Sequence, residues 1–137
     1  MHERHGDGAF AMTLHDGSAP TAVQWYARED TRLPVAVQRW ELPPGGSEGM
    51  HRHPPGDGAL EELYVLIEGR AVMHVDGRTH EMAPGDAVLA AAGTEHDLHN
   101  PGPDRAVLMV VWGPPVGGLD WTRFATGRAA HAASSAR

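Results

Sequence analysis

GGSEGMHRHPPGDGALEELYVLIEG, residues 45–69, holds the two features on which the fold turns. Its second half contains Leu63-Tyr64-Val65-Leu66-Ile67, an apolar run closed by Glu68 and Gly69 and therefore strand-sized rather than helix-sized. A strand with one wet face alternates apolar and polar residues, so a run that is apolar on both faces needs cover on both. Val107-Leu108-Met109-Val110-Val111-Trp112 reads the same way. A second subunit is the simplest cover and predicts a homodimer; the rival is the C-terminal segment with Trp121 and Phe124 folding back.

Outward from that run, 17 glycines and 11 prolines interrupt the chain so often that no long stretch keeps a helical period. Helices are expected to be minor. Short strands are predicted over 22–27, 35–42, 60–68, 71–75, 79–82, 87–90 and 106–112, and Asp76-Gly77 is the strongest hairpin turn among their connections. Many short strands at this spacing imply an all-β antiparallel sandwich or barrel. One domain is expected over 21–126, flanked by a mobile N-terminal segment, 1–20, and a mobile tail, 127–137, whose apolar surface is too small to offset the entropy of ordering them.

The chain has 137 residues and a net charge of −7, with 11 basic residues, all arginine, and 10 histidines. Lacking cysteine, it offers no disulfide, thiolate nucleophile or iron–sulfur ligand; lacking lysine, it offers no Schiff base or P-loop cation. The arginines are scattered, which gives no footprint for nucleic acid or an anionic membrane. No apolar run approaches a bilayer span and the N-terminus lacks the order of a signal peptide, so a cytoplasmic protein is expected.

Histidine is then the main side chain able to bind a transition metal or move protons near neutral pH. His51 and His53 are two apart, which places both imidazoles on one face of a strand. Glu62 opens the next strand, and His96 lies at the end of a later one. Three imidazoles and a carboxylate suit a divalent transition metal ion (Fe, Mn, Zn or Ni), and an octahedral ion so held keeps two positions open.

The sequence resembles the cupin superfamily over residues 35–112. Gly45, His51, His53, Glu62 and Gly69 match the first motif, and Gly85, Gly93, His96 and Asn100 match the second, with fifteen residues between them. The resemblance implies a small double-sheet jelly-roll barrel with the ion inside, and His51, His53, Glu62 and His96 as its ligands. Two departures stand out. Eight residues separate His53 from Glu62, twice the family's usual gap or more, and Ala91 replaces the second motif's proline. The long gap sets Glu61 against Glu62; counting six residues back from Gly69, within one strand, selects Glu62. The inserted Pro-Pro-Gly-Asp-Gly is read as a lip over the barrel mouth.

Tyr64 shares the parity of Glu62 and is a candidate to hydrogen-bond a substrate or move a proton. Trp40, Leu66 and Trp112 are candidates to line the pocket. His99 has the opposite parity to His96, and Asn100 is assigned to its turn. His2, His5 and His15 are selected by no spacing. The expected function is a metal-dependent enzyme acting on a small, hydrophobic or aromatic molecule, with the ion as Lewis acid in an isomerase, cyclase or lyase reaction. An Fe-dependent dioxygenase and a non-catalytic binding module or accessory subunit are the alternatives.

Overall fold

The alternation in Ala36-Val37-Gln38-Arg39-Trp40-Glu41-Leu42 sends Ala36, Gln38, Trp40 and Leu42 inward, and all four are buried. The computed structural model, which describes residues 1–137, builds ten strands by this logic: β1 (Phe10–Met12), β2 (Thr21–Tyr26), β3 (Ala36–Leu42), β4 (His51–Arg52), β5 (Glu61–Glu68), β6 (Ala71–Val75), β7 (Arg78–Met82), β8 (Ala87–Ala90), β9 (Glu95–His99) and β10 (Ala106–Gly113). A 3-10 turn (Trp121–Arg123) and one helix, α1 (Ala125–Ser135), follow.

The strands form two antiparallel sheets, ordered β1-β2-β3-β10-β5-β8 and β4-β9-β6-β7. Between them lies a core that includes Trp40, Leu42, Tyr64, Leu66, Met73, Leu98, Leu108 and Val110. This is the expected jelly-roll. β10 sits in the middle of the larger sheet, paired with β3 on one side and β5 on the other, which is why it is apolar throughout. The pairing of β5 with β8 sets Leu63 opposite Leu89, and both point away from the core, 37% and 52% exposed. Ile67 is likewise outward and half exposed.

The fold-back of the C-terminal segment, the rival to a second subunit as cover, is not what the structure has. Trp121 and Phe124 pack on each other, ring centroids 6.1 Å apart, and stay 66% and 50% exposed. Residues 125–135, most of them within the expected mobile tail, are helical, although none of them is buried. Alanine favours the helix by intrinsic propensity, which leaves no apolar period to read. No helix is long and apolar enough to cross a membrane.

The first twenty residues, expected as a mobile segment, instead contribute a strand: β1 pairs with β2 through Phe10↔Val23, Ala11↔Ala22 and Met12↔Thr21. Gln24 holds the chain upstream of it. Its Oε1 accepts from the Gly6 amide at 2.8 Å and its Nε2 donates to the Arg4 carbonyl at 2.8 Å. Backbone pairing and a buried amide thus offset an ordering cost that a count of apolar residues could not.

Candidate metal centre

β4 and β9 pair with His51 directly opposite His96, so the smaller sheet delivers two imidazoles from facing positions. His96 enters near the start of β9, not at a strand's end as expected from the sequence. His53 follows β4, and Glu62 reaches in from β5 of the larger sheet. The ligating atoms of His51, His53, Glu62 and His96 all lie within 4.8 Å of one another. Glu62 is buried, 5% exposed, while Glu61, its neighbour in an alternating strand, takes the opposite face. Of the two carboxylates, Glu62 is the one that stands with the three histidines.

One oxygen, Glu62 Oε2, is the focus: His96 Nε2 stands 2.7 Å from it, His53 Nε2 3.1 Å and His51 Nε2 3.6 Å. Burial alone would raise the Glu62 carboxyl, but His51, His96 and His53 around it outweigh that and hold it well below the usual carboxylate range. For His96, burial works downward, and its bonds to Glu62 and to the Thr94 carbonyl win and raise it. The backbone fixes two of the rings. His51 Nδ1 donates to the Gly49 carbonyl at 2.8 Å and His96 Nδ1 to the Thr94 carbonyl at 3.1 Å, which turns both Nε2 atoms inward.

His51 Nε2 is buried with no hydrogen-bond partner. A lone pair so stranded costs about 1–3 kcal/mol, and a cation in contact with it recovers that. The donor set and this orphaned nitrogen fit a divalent transition metal ion.

Two residues that sequence spacing did not select complete the site. Glu48, fully buried, accepts from the Tyr64 hydroxyl at 3.0 and 3.1 Å, and burial with Glu62 close by pushes its carboxyl well up. It lies in a glycine-flanked loop where no parity can be read; its place between Gly45 and His51 is the one signal available. His15 arrives from the N-terminal segment and lies flat on His51, a pairing between residues thirty-six apart that nothing local announces. Tyr64 is completely buried, with its hydroxyl 3.1 Å from Glu62 Oε2 as well. It bridges two carboxylates and does not line the cavity described next.

That cavity, about 240 Å³, opens beside the donors and is walled at that end by His15, Glu48, His53 and Glu62. Trp25, Trp40 and Trp112 form much of the rest, with Phe10, Met12 and Leu14 from the N-terminal segment, and no arginine lines it. Trp25 and Trp112 meet edge to face at 5.3 Å. Leu66, expected at the pocket, is fully buried among the core residues instead, because its strand continues past the cavity's floor into the sheet interior. His99 lies on the other face of β9, as its parity required, and Asn100 places Nδ2 2.8–3.1 Å from the carbonyls of Leu42, Pro43 and Asp104, serving its turn.

Fold and site together define a jelly-roll barrel carrying a cluster of three histidines and a glutamate suited to a metal ion, and the cupin domain family matches residues 38–112, more than half of the chain. The chain belongs to the cupin family. An oxalate-binding protein of Thermotoga maritima is 36% identical over 74 residues, 53% of this chain and 58% of its own length, so the match spans less than two-thirds of that relative. Among solved structures, a Thermotoga maritima protein described as a predicted oxalate decarboxylase superposes with a TM-score of 0.70 at 22% identity, covering 78% of this chain and 92% of that one. A cupin 2 conserved barrel domain protein of Salinispora arenicola superposes with a TM-score of 0.67 at 21% identity over 98% of both chains. At these identities the structures bear on the fold alone.

Proposed function

We propose that the protein is a metal-dependent enzyme acting on a small, largely apolar or aromatic molecule through redox-neutral isomerase, cyclase or lyase chemistry. The observation that carries this is the continuity between four converging donors and a tryptophan-walled cavity free of arginine. A divalent ion held by His51, His53, Glu62 and His96 supplies Lewis-acid polarisation of a substrate oxygen. The chain's own residues do the rest. Trp25, Trp40 and Trp112 offer flat apolar surface to a ring or hydrocarbon body and exclude water from the donors. Tyr64 acts as a positioning residue, its hydroxyl holding Glu48 and Glu62 at fixed separation.

Oxalate, suggested by the Thermotoga relative's name, is small and doubly anionic and would leave most of an apolar cavity of about 240 Å³ unfilled. A phosphorylated sugar would find no arginine there. The discriminating experiment is a substrate screen of metal-loaded protein with and without dioxygen, with oxalate as comparator. Turnover of an apolar or aromatic compound at equal rates in both atmospheres supports the reading. Strict dependence on dioxygen transfers it to the dioxygenase alternative, and metal binding without any turnover to the binding module.

A further inference from the structure

His51 has a single lone pair to give. Its Nδ1 donates to the Gly49 carbonyl, so Nε2 is the acceptor, and that atom is buried, partnerless and nearly equidistant from two carboxylates: 3.6 Å from Glu62 Oε2 and 3.7 Å from Glu48 Oε1. The structure contains two groups of potential ligands, His51-His53-Glu62-His96 and His15-Glu48-His51. Both share His51. One lone pair binds one ion, so the groups overlap at a single centre rather than forming two.

We infer that Glu48 is a fifth protein ligand of the ion invoked under the proposed function, making the centre His3Glu2 with one open position; the inference rests on that reading. Glu48 is 0% exposed, and apart from His51 no positively chargeable group pairs with it. Its remaining partner, the Tyr64 hydroxyl, has one proton for three carboxylate oxygens at 3.0–3.1 Å, two on Glu48 and one on Glu62. Two carboxylates this close in a dry interior repel each other; Glu62 has His53 and His96 against it, whereas Glu48, with His51 at 3.7 Å, is short of counter-charge. A divalent ion supplies it in full. With one carboxylate the centre carries a net positive charge, and with two it is neutral, the less costly state to bury. His15 is not assigned as a ligand: it is exposed and stacks face to face on His51.

With five donors taken up, an octahedral ion has room for one substrate atom. The substrate is then a one-point ligand, such as a single carbonyl or hydroxyl oxygen on an apolar body, and not a chelator such as oxalate.

Loading the purified protein with one equivalent of Mn(II) and counting metal-bound water by proton relaxation tests this on the wild-type chain. One bound water is expected. In E48Q, which keeps an acceptor for Tyr64, a second water appears and Mn(II) binds at least about 10-fold more weakly. Two waters on the wild-type protein, with no further water gained in E48Q, overturn the inference while leaving the four-ligand metal centre standing. Failure of the wild-type protein to bind Mn(II) at all overturns both. Should E48Q not fold, a crystal structure of the Mn(II)-loaded wild-type protein decides, by a Glu48 oxygen within or outside bonding distance of the ion.

Discussion

The imidazoles of His15 and His51 are stacked, with centroids 3.6 Å apart and planes 8° from parallel. His15 and Asp16 adopt positive φ angles of 41° and 61°, a left-handed backbone that non-glycine residues enter at a cost. Two glycines let the loop approach. A Cβ on Gly17 would collide with the Ser47 carbonyl, and one on Gly49 with the His15 carbonyl. Gly17→Ala is therefore expected to lower stability by about 1–3 kcal/mol through backbone displacement, read as a drop in Tm. His15→Ala should leave Tm within a few degrees, because the ring is exposed, while altering ligand binding in the cavity it walls.

Pocket and core separate by mutation. Leu66→Ala removes a fully buried side chain from the core and should cost about 2–5 kcal/mol in urea denaturation. Trp112→Ala widens the cavity at a partly exposed position, so its main effect is expected on KM for an apolar substrate. Equal stability losses with no change in KM would remove Trp112 from the pocket.

The outer face of β5, β8 and β10 presents Leu63, Val65, Ile67, Leu89, Met109 and Val111, and β8 is a sheet edge with no charged residue to discourage pairing. A second copy joined through this face is the expected cover. Light scattering should give twice the 14.7 kDa chain mass, and Leu89→Asp should halve it. A wild-type monomer would sink the dimer.

Away from the metal centre, Glu41 accepts from Arg39, and this, with His5 and Arg105 nearby, outweighs partial burial and lowers its carboxyl. A depressed carboxyl stabilises the fold above its unfolded pKa and stops doing so as pH falls through the folded value. Between pH 6 and pH 3, wild-type protein should therefore lose more stability than Glu41→Gln. The pair is partly buried at the sheet surface and still reached by solvent, so the excess is about 1 kcal/mol, measured by urea titration at both pH values.

The two halves of the site were unequally legible. His51, His53, Glu62 and His96 could be read because they fall at the fixed local offsets of the two cupin motifs: parity sets the face of His51 and His53, and the motif's count back from Gly69 distinguishes Glu62 from Glu61. Glu48 sits in a loop that has no parity, and His15 reaches His51 through a segment whose ordering depends on Gln24 and on backbone pairing. Leu66 was misplaced because parity gives a face, not a depth along the barrel. The outward apolar residues of β5 were anticipated from the run itself, whereas α1 escaped detection because alanine needs no period to form a helix.

Metal content is the most direct test of the central claim. Untagged protein, equilibrated with one divalent transition metal at neutral pH and freed of excess, should carry one ion per chain by elemental analysis. His51→Ala and His96→Ala, folded by circular dichroism, should carry less than a tenth of that. Full stoichiometry in both variants, or none in the wild-type protein, would contradict the assignment of His51, His53, Glu62 and His96 as a metal centre.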